Sequence, residues 1–128
     1  IEKLNEILEI RDLQMQIYYE NLNGIKGVKL RKFANWIKPV HWLLTISIDK
    51  IDSTKMVIEF MKQNGVDCRQ MINPVFNADH FKNKYNKNDF VISSKVSKQY
   101  FHLPSSTALT KENILYICKL INTISNQI

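Results

Sequence analysis

Apolar residues near the start of the chain recur every three or four positions: Leu4, Ile7, Leu8, Leu13, Ile17, Tyr18 and Leu22. That spacing predicts one long amphipathic helix over residues 1–23. Asn23-Gly24 ends it, because both residues tolerate left-handed backbone. Ile10, Met15 and Tyr19 fall off the main row, so part of this helix is expected to carry apolar surface that its own domain leaves uncovered. A basic, irregular connection then runs to Pro39. The period changes to two in HWLLTISI, residues 41–48. Trp42, Leu44, Ile46 and Ile48 share one face, which predicts a strand with one strongly apolar side.

Asp52 or Ser53 is positioned to cap a second helix over 53–64, with Met56, Val57, Phe60 and Met61 as its stripe and Gly65 as its stop. Residues 66–73 return to period two. Val66, Cys68 and Ile72 are expected inward, and Asp67, Arg69 and Met71 outward. Pro74 breaks that strand, and Asn77-Ala78-Asp79 opens a short helical turn carrying His80 and Phe81. Asp89 is expected to cap a helix running to about Gln99. Tyr100–Leu103 reads as a third strand, stopped by Pro104. Thr110 caps a last helix over 110–125, with Ile114, Ile117, Cys118, Ile121 and Ile124 as its stripe. Glu112 suits its positive N-terminus. The order predicts an α+β domain: a small, mostly antiparallel sheet of about three strands with helices mainly on one face. Trp42, Leu44, Ile46, Phe60, Ile117 and Ile121 are expected to be buried together.

Composition sharpens this. At 128 residues, 45% hydrophobic and 23% charged, the chain has the size and apolar content of one cored domain. The unit is read as 1–128, with 1–23 as a connecting helix and 41–128 as a small α+β domain. Cys68 and Cys118 lie far apart within apolar patterns and read as buried free thiols in a reducing, cytoplasmic setting. The opening IEKLNEILEIRD mixes charge into every turn, unlike a signal peptide. It also begins inside a helical pattern, as a segment of something longer would. The longest apolar run lies within WLLTISI, too short for a membrane span. The formal net charge is +6, with its densest group at Lys26, Lys29, Arg31 and Lys32. No aromatic RNA-binding motif or recognition helix accompanies it, so a solvated basic surface is favoured over a nucleic-acid site.

Catalytic motifs are absent: there is no glycine-rich phosphate loop and no nucleophile elbow, and His41, His80 and His102 lack metal-ligand spacing. His41 reads as a strand-edge residue and His102 as a structural histidine, which leaves His80 as a site candidate. Arg69 is the most informative charge. Its planar fork suits a phosphate or carboxylate. The competing reading is an edge-strand arginine paired with a nearby acid.

Four segments in order resemble the C-terminal part of the DegT/DnrJ/StrS family of pyridoxal-phosphate sugar aminotransferases. IEKLNEILEIRDLQMQIYYENLNGIKGVKL resembles its domain-joining helix and turn, and HWLLTISID its tryptophan-bearing strand. NGVDCRQMINPV resembles the segment leading to a substrate-side loop, and HLPSSTALTKENILYICKLI the closing strand and helix. The resemblance implies the small domain of a fold-type I aminotransferase, working as a homodimer in amino-sugar and polysaccharide biosynthesis. It implies amino transfer from glutamate to a nucleotide-linked keto-sugar through pyridoxal phosphate. The Schiff-base lysine of that family belongs to the large domain, so this segment alone is expected to bind no cofactor and to be inactive. Carried over, the resemblance nominates Arg69, Asn73, Phe76, Asn77 and His80 as substrate-side residues. Phe76 stands where the family often has histidine, which points to an unusual substrate or a degenerate site. The alternative is a self-standing, non-catalytic ligand-binding or interaction module, basic enough to meet nucleic acid.

Overall fold

The computed structural model describes residues 2–51, 53–81 and 84–128. Its helices are α1 (Leu4–Leu22), α2 (Lys55–Gln63), α3 (Val91–Gln99) and α4 (Lys111–Gln127). Its strands are β1 (Val28–Leu30), β2 (Leu44–Ile48), β3 (Arg69–Gln70) and β4 (Tyr100–Leu103). They form one sheet in the order β1-β2-β4-β3, with every pairing antiparallel.

The expected α+β class holds, with four strands rather than three. The added strand, β1, lies in the basic stretch read from sequence as irregular. Val28, Lys29 and Leu30 pair with Ile48, Ser47 and Ile46. Three residues have no strand identity of their own; the edge of β2 supplies the hydrogen-bond partners.

Leu44, Ile46 and Ile48 of β2 and Phe101 and Leu103 of β4 share the face that joins the core with residues of α1, α2 and α4. α4 follows the sequence pattern closely. Thr110 Oγ1 accepts from Asn113 N, and the Asn113 side chain accepts from Thr110 N, a reciprocal cap. Ile114, Ile117, Cys118, Ile121 and Ile124 are all buried, and Leu120 joins them. Burial of an isoleucine side chain contributes about 1.5–3 kcal/mol. α4 therefore anchors the domain, with α1 packed along it.

α1 buries the face that Leu4, Ile7, Tyr18 and Leu22 share, but only along its C-terminal half. Gln14, Met15, Tyr18 and Leu22 are buried, while Leu4, Ile7 and Leu13 are exposed. Met15, expected off the row, belongs to the core. Contact with the domain begins at Gln14: its Nε2 donates to Ser106 O and Leu109 O, both at 3.0 Å, tying α1 to the loop before α4.

Trp42 corrects the reading of β2: it is 66% exposed. Pairing with β4 begins at Leu44 opposite Leu103, and the residue after β4 is Pro104, which has no N–H to continue the ladder. The backbone at Trp42 is held by other means. Its carbonyl accepts from Arg11 Nη1 at 3.0 Å and from Ser105 Oγ at 2.7 Å, and the indole is left outside.

Ile72 is likewise 64% exposed, not inward, and the strand expected over 66–73 contracts to Arg69–Gln70. The register sets Gln70 opposite Phe101, and β4 emerges from α3 only at Tyr100. No strand residue is left to face Ile72. Val66 and Cys68 are buried as expected.

Helix starts also shift. α2 follows Thr54, which is buried and whose N–H donates to Lys98 O. Ser53 Oγ accepts from Lys55 N but stands one residue before the N-cap position, and Asp52 lies outside the described residues. Met56 of the expected α2 stripe is exposed, while Val57 and Met61 are buried and Phe60 is half-buried. α2 ends at Gly65, whose φ of +76° suits glycine. Val66 N there donates to Met61 O and Gly65 N to Lys62 O. Before α3, Asn86 rather than Asp89 provides the cap: its side chain accepts from Asn88 N and starts a 3₁₀ turn, Lys87–Phe90.

Candidate functional site

β3 is an edge strand, and Arg69 lies on it with its side chain 78% exposed. Asp67 Oδ2 stands 3.8 Å from its Nη2, a loose pair between exposed groups that leaves the fork open to a further partner. Arg69 lines a groove of about 810 Å³ with Trp42, His102, Ser105 and Tyr116. That is within the size range of small-ligand sites.

Cross-strand register puts Thr45, His102 and Arg69 in one row over β2, β4 and β3. Residues directly opposite share a face, so this row lies on the side away from Leu44, Ile46, Phe101 and Leu103. Thr45 Oγ1 is 3.0 Å from His102 Nδ1. His102 is 6% exposed, and its Nε2 is buried with no partner. Burial lowers its pKa below the ordinary 6.5, so the ring is neutral at pH 7.

The loop after Pro74 forms a second cavity, of about 640 Å³. Two 3₁₀ turns, Val75–Asn77 and Asp79–Phe81, fold it back towards α3. Phe76 is buried and stacks on Phe90, with centroids 4.8 Å apart, and Tyr85 meets Phe90 edge-on at 5.9 Å. Met71, Ile72 and Val96 complete mostly apolar walls. Ile72 borders both this cavity and the Arg69 groove.

The five residues nominated from sequence are thus divided. Arg69 and Phe76 line neighbouring cavities. Asn73, Asn77 and His80 are exposed on the loop, with His80 against Phe81 at 4.3 Å between centroids. Sequence reasoning passed over Trp42 and His102 as groove residues. No motif marks them, and only the strand register sets His102 beside Arg69.

Other reactive groups are accounted for. Burial pushes the Cys68 and Cys118 thiols up to about 12, so neither is a thiolate nucleophile at pH 7. His41 Nε2 is 3.9 Å from Asp12 Oδ1, and its ring meets Phe33 edge-on. Among the described residues no group of three or more His, Cys, Asp or Glu could hold a metal ion. No helix among them is long and apolar enough to cross a membrane. The basic stretch is partly used within the fold: Lys29 pairs with Asp49, and Arg31 lies over the Phe33 ring at 4.8 Å.

Comparisons with known proteins agree with this architecture. The chain is 21% identical over 122 residues to GDP-perosamine synthase of Escherichia coli O157:H7, covering 95% of the chain and 32% of that protein. It is 22% identical over 128 residues to GDP-perosamine synthase of Vibrio cholerae, covering 98% and 35%. It therefore spans about a third of the length of the curated relatives it matches. Among solved structures, the putative sugar aminotransferase Spr1654 of Streptococcus pneumoniae, in its PMP form, superposes with a TM-score of 0.91 at 15% identity, covering 98% of this chain and 32% of that one. DesV of S. venezuelae, in complex with a ketimine intermediate, gives 0.88 at 17% identity, covering 99% and 34%. The sequence model of the DegT/DnrJ/EryC1/StrS aminotransferase family matches residues 1–122, and the chain belongs to that family.

Proposed function

We propose that this chain is the small-domain part of a sugar aminotransferase that moves an amino group from glutamate to a keto-sugar carried on a nucleotide. The observation that carries the reading is the family match along residues 1–122. Two GDP-perosamine synthases among the relatives, and a DesI structure solved in the presence of its TDP-sugar product, support a nucleotide-linked substrate. In this reading residues 1–128 act as one unit, α1 doubles as the connection to a large domain, and the enzyme is a cytoplasmic homodimer.

Pyridoxal phosphate is the cofactor of the family, and Spr1654 has been solved in PLP and PMP forms. The described residues of this chain do not fit that cofactor. A Schiff-base lysine is activated by desolvation or by a neighbouring cation. Every lysine whose side chain is described is exposed, and Asp49 holds Lys29 above the ordinary lysine pKa, the wrong direction for a nucleophile. The cofactor chemistry belongs to the part of the enzyme outside this chain.

The role left to this chain is recognition. Arg69 offers a bidentate fork at the mouth of the groove, suited to a diphosphate. Asn73, Asn77 and His80 border the substrate from the loop, and Phe76 holds that loop against α3. The test starts with the coding sequence upstream of residue 1, which should encode a large domain of a few hundred residues with a lysine following a strand. The encoded enzyme should then release 2-oxoglutarate from glutamate only when a keto-sugar nucleotide is supplied. A start codon at residue 1, or no such transfer, would overturn the reading.

A further inference from the structure

His102 has one ring nitrogen held and the other orphaned, both under cover. A buried polar atom without a partner costs about 1–3 kcal/mol, so folds rarely keep one without a use. His102 lines the Arg69 groove and also a third cavity of about 390 Å³ next to it. Trp42, Leu43 and Ile72 border both spaces with it.

Three chemistries meet there. Arg69 supplies a cation for a phosphate. Exposed Trp42 offers a flat apolar surface, suited to the C–H face of a sugar ring. His102 supplies one neutral hydrogen-bonding nitrogen. We infer that His102 is a specificity-determining residue: its Nε2 takes a hydroxyl of a glycosyl phosphate whose phosphate lies on Arg69 and whose ring lies on Trp42. This rests on the nucleotide-sugar reading above and adds to it the part of the ligand that each residue meets.

Thr45 makes the pairing adaptable. When its hydroxyl donates to Nδ1, Nε2 carries the proton and donates to a sugar oxygen. When Nδ1 carries the proton and donates to Thr45, Nε2 accepts from a sugar hydroxyl. A hydroxyl complements either tautomer. A phosphate complements only the first, and it already has a better partner in Arg69. Nε2 is shielded before the ligand arrives, so a side chain must move. Ile72 is suited to this: it is exposed, lies beyond the last ladder residue of β3, and lines both cavities that His102 lines. Exposed side chains change rotamer in picoseconds to nanoseconds.

The experiment is a titration of the 128-residue protein with GDP-mannose, and in parallel with GDP, followed by long-range ¹H–¹⁵N spectra of the histidine rings. GDP-mannose should move the His102 Nε2 resonance and fix one tautomer; GDP should not. His102→Leu should weaken GDP-mannose binding about fivefold and leave GDP binding unchanged, the effect of one neutral hydrogen bond. Arg69→Ala should weaken both ligands. If GDP-mannose binds and Arg69→Ala weakens it while the His102 ring stays unmoved, the assignment of His102 is wrong and the nucleotide-sugar reading stands. If GDP-mannose neither binds nor moves the His102 ring, both fail. The spectra of the unsubstituted protein decide the question even if His102→Leu does not fold.

Discussion

Thr45 Oγ1 and His102 Nδ1 meet at 3.0 Å across two central strands, on the side of the sheet opposite the apolar core. The contact fixes the imidazole in a place where water does not reach it. It satisfies half of the ring and leaves the other half for a partner from outside.

That geometry sets a pH dependence. Burial depresses the folded-state pKa of His102 below its unfolded value of 6.5. The unfolded chain therefore binds the proton more readily, and stability is full above pH 6.5 and declines as pH falls from there towards the folded pKa. Thermal melts between pH 7.5 and pH 5 should show this loss. His102→Gln should flatten the difference, and an unchanged slope in that variant would assign the loss to other groups.

Core and rim should respond very differently. Ile121→Ala removes a fully buried side chain at the α4 stripe and should cost about 2–5 kcal/mol in denaturant unfolding. Trp42→Ala removes a larger but mostly exposed side chain and should cost about 0.5 kcal/mol or less. Equal costs would mean that the indole packs against the domain in solution.

The 128-residue chain should form no specific adduct with pyridoxal phosphate. Absorbance titration should show only slow, non-stoichiometric reaction with exposed lysines. A single borohydride-reducible aldimine on one lysine would contradict this.

α1 should drive self-association of the isolated chain. Leu4 and Ile7 are exposed on it, on the face that further along buries Tyr18 and Leu22, and a neighbouring domain would cover them. Leu4→Lys with Ile7→Lys should return the chain to monomer in sedimentation velocity. Met15 is unsuitable for this test, because it is buried and its substitution would damage the core. A monomer at high concentration without substitutions would refute the expectation.

How far the sequence could be read depended on where each element draws its order. α4 was legible because its spacing, its Thr110 cap and its buried stripe are local to one segment. β1 was not, because three residues become a strand only through their pairing with β2. Trp42 and Ile72 continue an alternation that the partner strand does not match: Pro104 stops β4 at one end and α3 delays its start at the other. The site divides in the same way. Arg69 stood out as a charge in an apolar run, but its neighbour His102 lies 33 positions away along the chain, and only the register of β3 against β4 joins them.

The central claim is that this chain recognises the sugar nucleotide and leaves the amino-transfer chemistry to the rest of the enzyme. The two half-reactions of the Arg69→Ala enzyme, followed separately by the cofactor's absorbance, test it most directly. An always-charged guanidinium is a poor acid or base, so its loss should not alter proton transfer. The half-reaction with glutamate should proceed unchanged. KM for the sugar nucleotide should rise about ten- to hundred-fold, the effect of losing one charge-assisted contact of roughly 1.5–3 kcal/mol. Arg69→Lys should recover only part of it, since an ammonium cannot reproduce the fork. Equal slowing of both half-reactions in a folded enzyme would contradict the account and leave Arg69 as an edge-strand surface charge paired with Asp67.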